Sequence, residues 1–119
     1  MTKPNESEPA VVVTRAYDLL LWLLPKTATF ARAHKFTVGD RLATAGVELL
    51  LALVDAAYAS DKARPLEQAT RQVNAVRYLL RLSKDLHLIT VDSYGFASER
   101  LEEIGRMAGG WQKAVRGRR

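Results

Sequence analysis

Arg77, Arg81 and Lys84 recur at spacings of four and three, which on a helix places three cations on one face. Asn74 and Arg71 stand one and two turns earlier, somewhat to the side. Lys26, Arg32, His34 and Lys35 form a second basic group, and Lys113, Arg116, Arg118 and Arg119 a third with no acidic residue among them. Spread-out cations of this kind neutralise several phosphates, with an affinity that falls steeply as salt rises. A solvated helix face, or cations complementing a helix C-terminus, produces the same pattern, so charge alone leaves both readings open. Lys and Arg total 18 against 13 Asp and Glu, a net charge of +5. Twelve of those cations are Arg, the side chain suited to bidentate phosphate or carboxylate contacts.

Other chemistries find little material. A di-metal helical bundle needs Glu followed by His at the third position, and none of Glu48, Glu67, Glu99, Glu102 or Glu103 has one. His34 and His87 fall in predicted connections or at a helix end, where a lone His reads as a surface or capping residue. The absence of Cys excludes disulfides, thiolate metal sites and a Cys nucleophile. Gly109–Gly110 lacks the Lys and Ser/Thr of a phosphate loop, and Gly39 stands alone. Glu99, Glu102 and Glu103 lie near Arg100 and Arg106 at helical spacing, as on an exposed face. No catalytic residue, metal or cofactor is therefore assigned, and a non-enzymatic protein without a small-molecule substrate is expected.

One domain is expected from 119 residues. Residues 1–13 read as a disordered leader, 14–112 as a helical domain and 113–119 as a basic tail. In the first helix, over residues 14–33, Tyr17, Leu21, Leu24, Ala28 and Ala31 form the expected inward stripe, and Pro25 should kink or split it. Thr37 with Asp40 resembles a capping box opening a second helix, whose inward positions are Val38, Leu42, Ala45, Leu49, Leu53 and Ala56. Pro65 suits the first position of a third helix carrying Leu66, Ala69, Val73, Val76, Leu80 and Ser83. Thr90 can cap a fourth, carrying Tyr94, Ala97, Leu101, Ile104, Ala108 and Trp111, with Gly109–Gly110 weakening its end. Short connections between long helices predict an all-α, antiparallel up-and-down four-helix bundle. Glu48 and Asp55 interrupt the longest apolar run, so no membrane partner is expected, and the composition fits a cytoplasmic protein. Tyr17, Trp22, Phe30, Tyr94 and Trp111 lie on or beside apolar stripes and read as core rather than as base-stacking groups. Leu50, Leu51 and Val54, with Trp22, exceed what one bundle seam requires and are the expected contact between copies in a closed homo-oligomer.

The blocks Tyr17-Asp18-Leu19-Leu20-Leu21-Trp22-Leu23-Leu24-Pro25-Lys26 and Phe36-Thr37-Val38-Gly39-Asp40-Arg41 resemble the accessory variability determinant (Avd) proteins of diversity-generating retroelements. So do Arg77-Tyr78-Leu79-Leu80-Arg81-Leu82-Ser83-Lys84-Asp85-Leu86 and Glu103-Ile104-Gly105-Arg106-Met107-Ala108-Gly109-Gly110-Trp111. The resemblance implies a homopentameric barrel of four-helix bundles that binds the retroelement reverse transcriptase and its template RNA, or an RNA/DNA hybrid, during mutagenic cDNA synthesis. It implies basic surface positions as the nucleic-acid contacts, with Arg77, Arg81 and Lys84 in a matching block and Arg71, Lys26, Arg32 and Lys35 as further candidates. Related bundles encoded in ribosomal RNA intervening sequences leave a second reading open, a scaffold that binds only protein.

Overall fold

The computed structural model describes residues 8–117. Four long helices make up the fold, α1 (Glu8–Ala28), α3 (Asp40–Tyr58), α4 (Ala63–Asp85) and α5 (Val91–Gly117). A short helix α2 (Arg32–His34) and a π-helical turn (Lys35–Gly39) join α1 to α3, and no strand occurs among the described residues. Each long helix packs against its successor, and α1 also packs against α5. Pairs of contacts set the directions. Arg77 meets Glu102 while Thr70 reaches Gln112, so α4 and α5 run antiparallel. Arg15 meets Glu103 while Trp22 meets Phe96, so α1 and α5 do likewise.

The core is built from the expected stripes of three helices. Leu42, Leu49, Leu53 and Ala56 of α3 are buried, as are Leu66, Ala69, Val73, Val76, Leu80 and Ser83 of α4. From α5 come Ala97, Leu101, Ile104, Ala108 and Trp111, with Tyr94 half-buried at its start. Ser83 stays satisfied in the apolar interior because its hydroxyl donates to the Leu79 carbonyl.

In α1 the expected phase is wrong. Val12, Ala16, Leu19, Leu20, Leu23 and Thr27 are buried, whereas Tyr17, Leu21 and Leu24 are exposed, at 54%, 61% and 40%, and Ala28 and Ala31 lie outside too. The helix carries two apolar stripes, so periodicity did not single out the inner one. It also begins at Glu8, so the expected leader overlaps it, and residues 1–7 lie outside the described residues. Pro25 does not split it; α1 ends at Ala28, within a turn of the proline.

Helix ends show further differences. Thr37 does not cap α3; its hydroxyl donates to the His34 carbonyl inside the π turn, and Gly39 precedes α3 in helical conformation. Pro65 lies in the first turn of α4 but after its start at Ala63, where a missing N–H still leaves no bond unmade. Between α3 and α4, the Lys62 ammonium donates to the carbonyls of Ala56 at 2.8 Å and Ala59 at 2.9 Å, closing the end of α3. At the end of α4, His87 takes a positive φ of 61°, and the His87 and Leu88 N–H groups donate to Lys84 and Ser83. That is the Schellman arrangement, with His where Gly is the unstrained choice. Thr90 caps α5 as expected, its hydroxyl accepting from the Ser93 N–H at 3.0 Å. Gly109–Gly110 does not end α5, which continues through most of the expected tail to Gly117, while Arg118 and Arg119 lie outside the described residues.

Candidate nucleic-acid interface

The helix α4 puts Arg77, Arg81 and Lys84 along one side, as their spacing requires, yet the three cations are not equivalent. Arg77 is committed to α5. Its Nε donates to Glu102 Oε2 at 2.7 Å and its Nη2 to Oε1 at 2.9 Å, a two-pronged pair, and Nη1 donates to Asn74 Oδ1. The hydrogen bond from Arg77 holds the Glu102 carboxyl below the usual carboxylate range, with Arg106 adding to the pull and burial opposing it. The same bond raises Arg77 above its ordinary value. Lys84 lies 4.7 Å from the Tyr94 ring centroid and 3.4 Å from Asp85 Oδ1, with its stem half-buried. Arg81 is exposed and makes no ion pair among the described residues. Of the three, Arg81 is the cation most available to a phosphate.

The second basic group joins this one in space. The π turn packs against α1 and α4, and the last turns of α1 and α4 flank the start of α3. Lys26, Arg32, Lys35, Arg81 and Lys84 therefore gather at one end of the bundle. Arg32 is exposed, Lys26 lies 5.5 Å from the Trp22 ring and Lys35 5.9 Å from the Phe36 ring. Arg71 is separate. It borders a depression of about 1030 Å³ at the α3–α4 turn together with Asp55, Arg64 and Glu67, where acids and bases are mixed.

Periodicity missed Arg106, which is exposed on α5 beside a shallow groove of about 280 Å³ between α4 and α5. Gly105 permits that close packing, since a Cβ there would lie 3.3 Å from Val73 Cγ1.

The expected contact surface between copies divides in two. Leu20 and Leu23 pack against Gly46 of α3, while Trp22 meets Phe96 of α5, so Trp22 lies on the opposite flank of α1 from α3. Leu50 and Val54 are half-buried and Leu51 is 50% exposed on α3. Helical geometry places Tyr17, Leu21 and Leu24 on the α3 side of α1, so these six apolar residues form one outer surface across α1 and α3. No group of His, Asp and Glu capable of holding a metal occurs among the described residues. No helix among them is long and apolar enough to cross a membrane.

A family model described as bAvd-like matches residues 10–115. A search of curated proteins returned no match. Among solved structures, the fold is similar to that of a protein of unknown function from the S23 ribosomal protein family of Bacteroides thetaiotaomicron VPI-5482. The TM-score is 0.83 at 17% identity, covering 90% of this chain and 99% of that one. At that identity the likeness concerns the fold alone.

Proposed function

The chain belongs to the bAvd-like family, and on that premise we propose that it is a non-catalytic accessory protein of a diversity-generating retroelement. It binds the reverse transcriptase and the template RNA, or its hybrid with cDNA, and supports mutagenic cDNA synthesis whose polymerase chemistry resides in the reverse transcriptase. Family membership over residues 10–115 is the observation that carries this reading. The cations gathered at one end of the bundle support it, because phosphate contacts supply most of the affinity for nucleic acid without reading sequence.

The same reading extends to topology and assembly. The order and directions of the helix contacts support an up-and-down bundle, and five such bundles close into a barrel, the number being drawn from the resemblance to Avd proteins. A ring needs two different surfaces that meet head to tail. The α1–α3 surface supplies one candidate, with Leu50, Leu51 and Val54 beside Tyr17, Leu21 and Leu24. The exposed Tyr78 and Leu82 on α4 supply another.

Binding of RNA across a salt series tests the interface. Replacing Arg77, Arg81 and Lys84 with Ala should weaken binding and flatten its salt dependence by roughly 0.7–0.9 per lost phosphate contact. Arg81→Ala alone should account for more of the change than Arg77→Ala. Nucleotide incorporation should appear only when reverse transcriptase is added; template-dependent synthesis by this chain alone would overturn the reading. The second reading is a protein-binding scaffold of the ribosomal RNA intervening-sequence type, with no retroelement role. It expects equal RNA affinity and equal salt slopes for wild type and the triple variant.

A further inference from the structure

We propose that Trp22 and Phe96, flanked by Lys26 and Arg100, form a stacking platform for the unpaired bases of single-stranded nucleic acid on the seam between α1 and α5. The proposal rests on the nucleic-acid reading above and adds a site that distinguishes single strands from duplexes.

The four side chains form a ladder. Lys26 Nζ lies 5.5 Å from the Trp22 ring centroid, the Trp22 and Phe96 centroids are 5.5 Å apart at a tilt of 43°, and Arg100 Cζ lies 4.5 Å from the Phe96 centroid. Core packing accounts for Trp22, which is half-buried against the interior. It does not account for Phe96, which is 41% exposed while its neighbour Ala97 takes the inward position. Beside Phe96 is a depression of about 340 Å³ bordered by Arg15, Asp18, Leu19 and Arg100. That volume is at the lower end of what small ligands fill.

Charge selects the path of an anionic chain. Arg15 is held by Glu103 at 2.9 Å, and Asp18 borders the depression, so that side repels phosphate or leaves it unpaired. Lys26 and Arg100 make no ion pair among the described residues, and each rests on a ring face instead. A base stacked on an aromatic face gains more than an exposed cation gains over the same face. An incoming base therefore displaces the Arg100 guanidinium, which is then free to form a charge-assisted hydrogen bond with the adjoining phosphate. No covalent step is involved.

Two features favour a single strand. Bases in a duplex are stacked inside the helix and offer no free face, whereas bases in loops and single strands do. Lys26 is in the last turn of α1, so a strand leaving the platform continues onto the basic end formed with Arg32, Lys35, Arg81 and Lys84.

The two tryptophans provide the assay. Trp111 is buried, at 8% exposure, so Trp22 is the accessible indole. A short oligouridylate should quench the emission of the intact protein, an RNA duplex of matched length should not, and Trp22→Phe should abolish the quench. Phe96→Ala should weaken oligouridylate binding roughly tenfold, and Arg100→Gln should lower its salt slope by about 0.7. Both should leave duplex affinity and helicity unchanged. Should Phe96→Ala lose helicity, Phe96→Leu keeps packing volume without an aromatic face and is expected to give the same loss of single-strand binding. Unchanged oligouridylate affinity in a folded Phe96 variant, or equal quenching by the duplex, overturns the platform and leaves the basic end intact. Failure of both RNAs to bind overturns the platform together with the nucleic-acid reading beneath it.

Discussion

The helices α1 and α4 each bury one apolar stripe, and they differ in what they leave outside. On α4 the outer positions are mostly polar or charged, Arg71, Asn74 and Arg81 among them, with Tyr78 and Leu82 between. On α1 the outer positions Tyr17, Leu21 and Leu24 are as apolar as the buried Val12, Leu19 and Leu23. A polar outer face tells an isolated chain which way a helix must turn. An apolar one leaves the choice to the neighbours and leaves a surface that water covers poorly.

That contrast gives its largest predicted effect in a pair of leucine truncations. Leu80→Ala in α4 removes a fully buried side chain and should cost about 2–5 kcal/mol in urea unfolding. Leu21→Ala in α1 should change protomer stability by no more than about 0.5 kcal/mol, and should instead lower the assembled mass seen by light scattering. Comparable unfolding losses for the two variants would break the contrast. A smaller gain is expected at the end of α4, where His87→Gly relieves the positive φ and should stabilise the protein by about 1 kcal/mol in thermal melts.

The smallest effect concerns the Arg77–Glu102 pair, whose side chains are 38% and 45% exposed. Solvent screening limits it to about 1 kcal/mol or less. Arg77 depresses the folded-state pKa of Glu102, so the stabilisation is present above the unfolded carboxylate value of about 4.3 and is lost as pH falls through the lower folded value. Urea midpoints of wild type and Glu102→Gln should differ near neutral pH and converge in acid.

Legibility followed the same contrast. The stripes of α4 and α5 could be read from spacing because mostly polar residues oppose them, and the Thr90 cap because its partner Ser93 is three residues away. The stripe of α3 could be read although Leu50, Leu51 and Val54 widen it. The phase of α1 was not readable, since two stripes of equal apolarity share it. The π turn escaped because Thr37 and Asp40 satisfy a capping pattern that the chain does not use. At the candidate site, spacing placed Arg77, Arg81 and Lys84 on one side of α4. It could not reveal that Arg77 is tied to Glu102 on another helix, nor that Trp22 and Phe96 meet, because those partners are brought together only by packing.

The grip of Lys62 on the carbonyls of Ala56 and Ala59 also decides how a trypsin-like protease meets this protein. Such an enzyme must draw a basic side chain into its own pocket from an extended segment, and turns between helices usually supply one. Here the Lys62 ammonium is already engaged, and the adjacent Arg64 is followed by Pro65, a bond such enzymes do not cut. The turn from α4 to α5 offers only Lys84, still helical and laid over Tyr94. The connection between α1 and α3 holds Arg32, which is exposed, and Lys35, which is half-buried beside Phe36, so Arg32 is the more accessible basic site there. A first cut there separates α1 from an α3–α5 fragment whose two remaining turns stay closed.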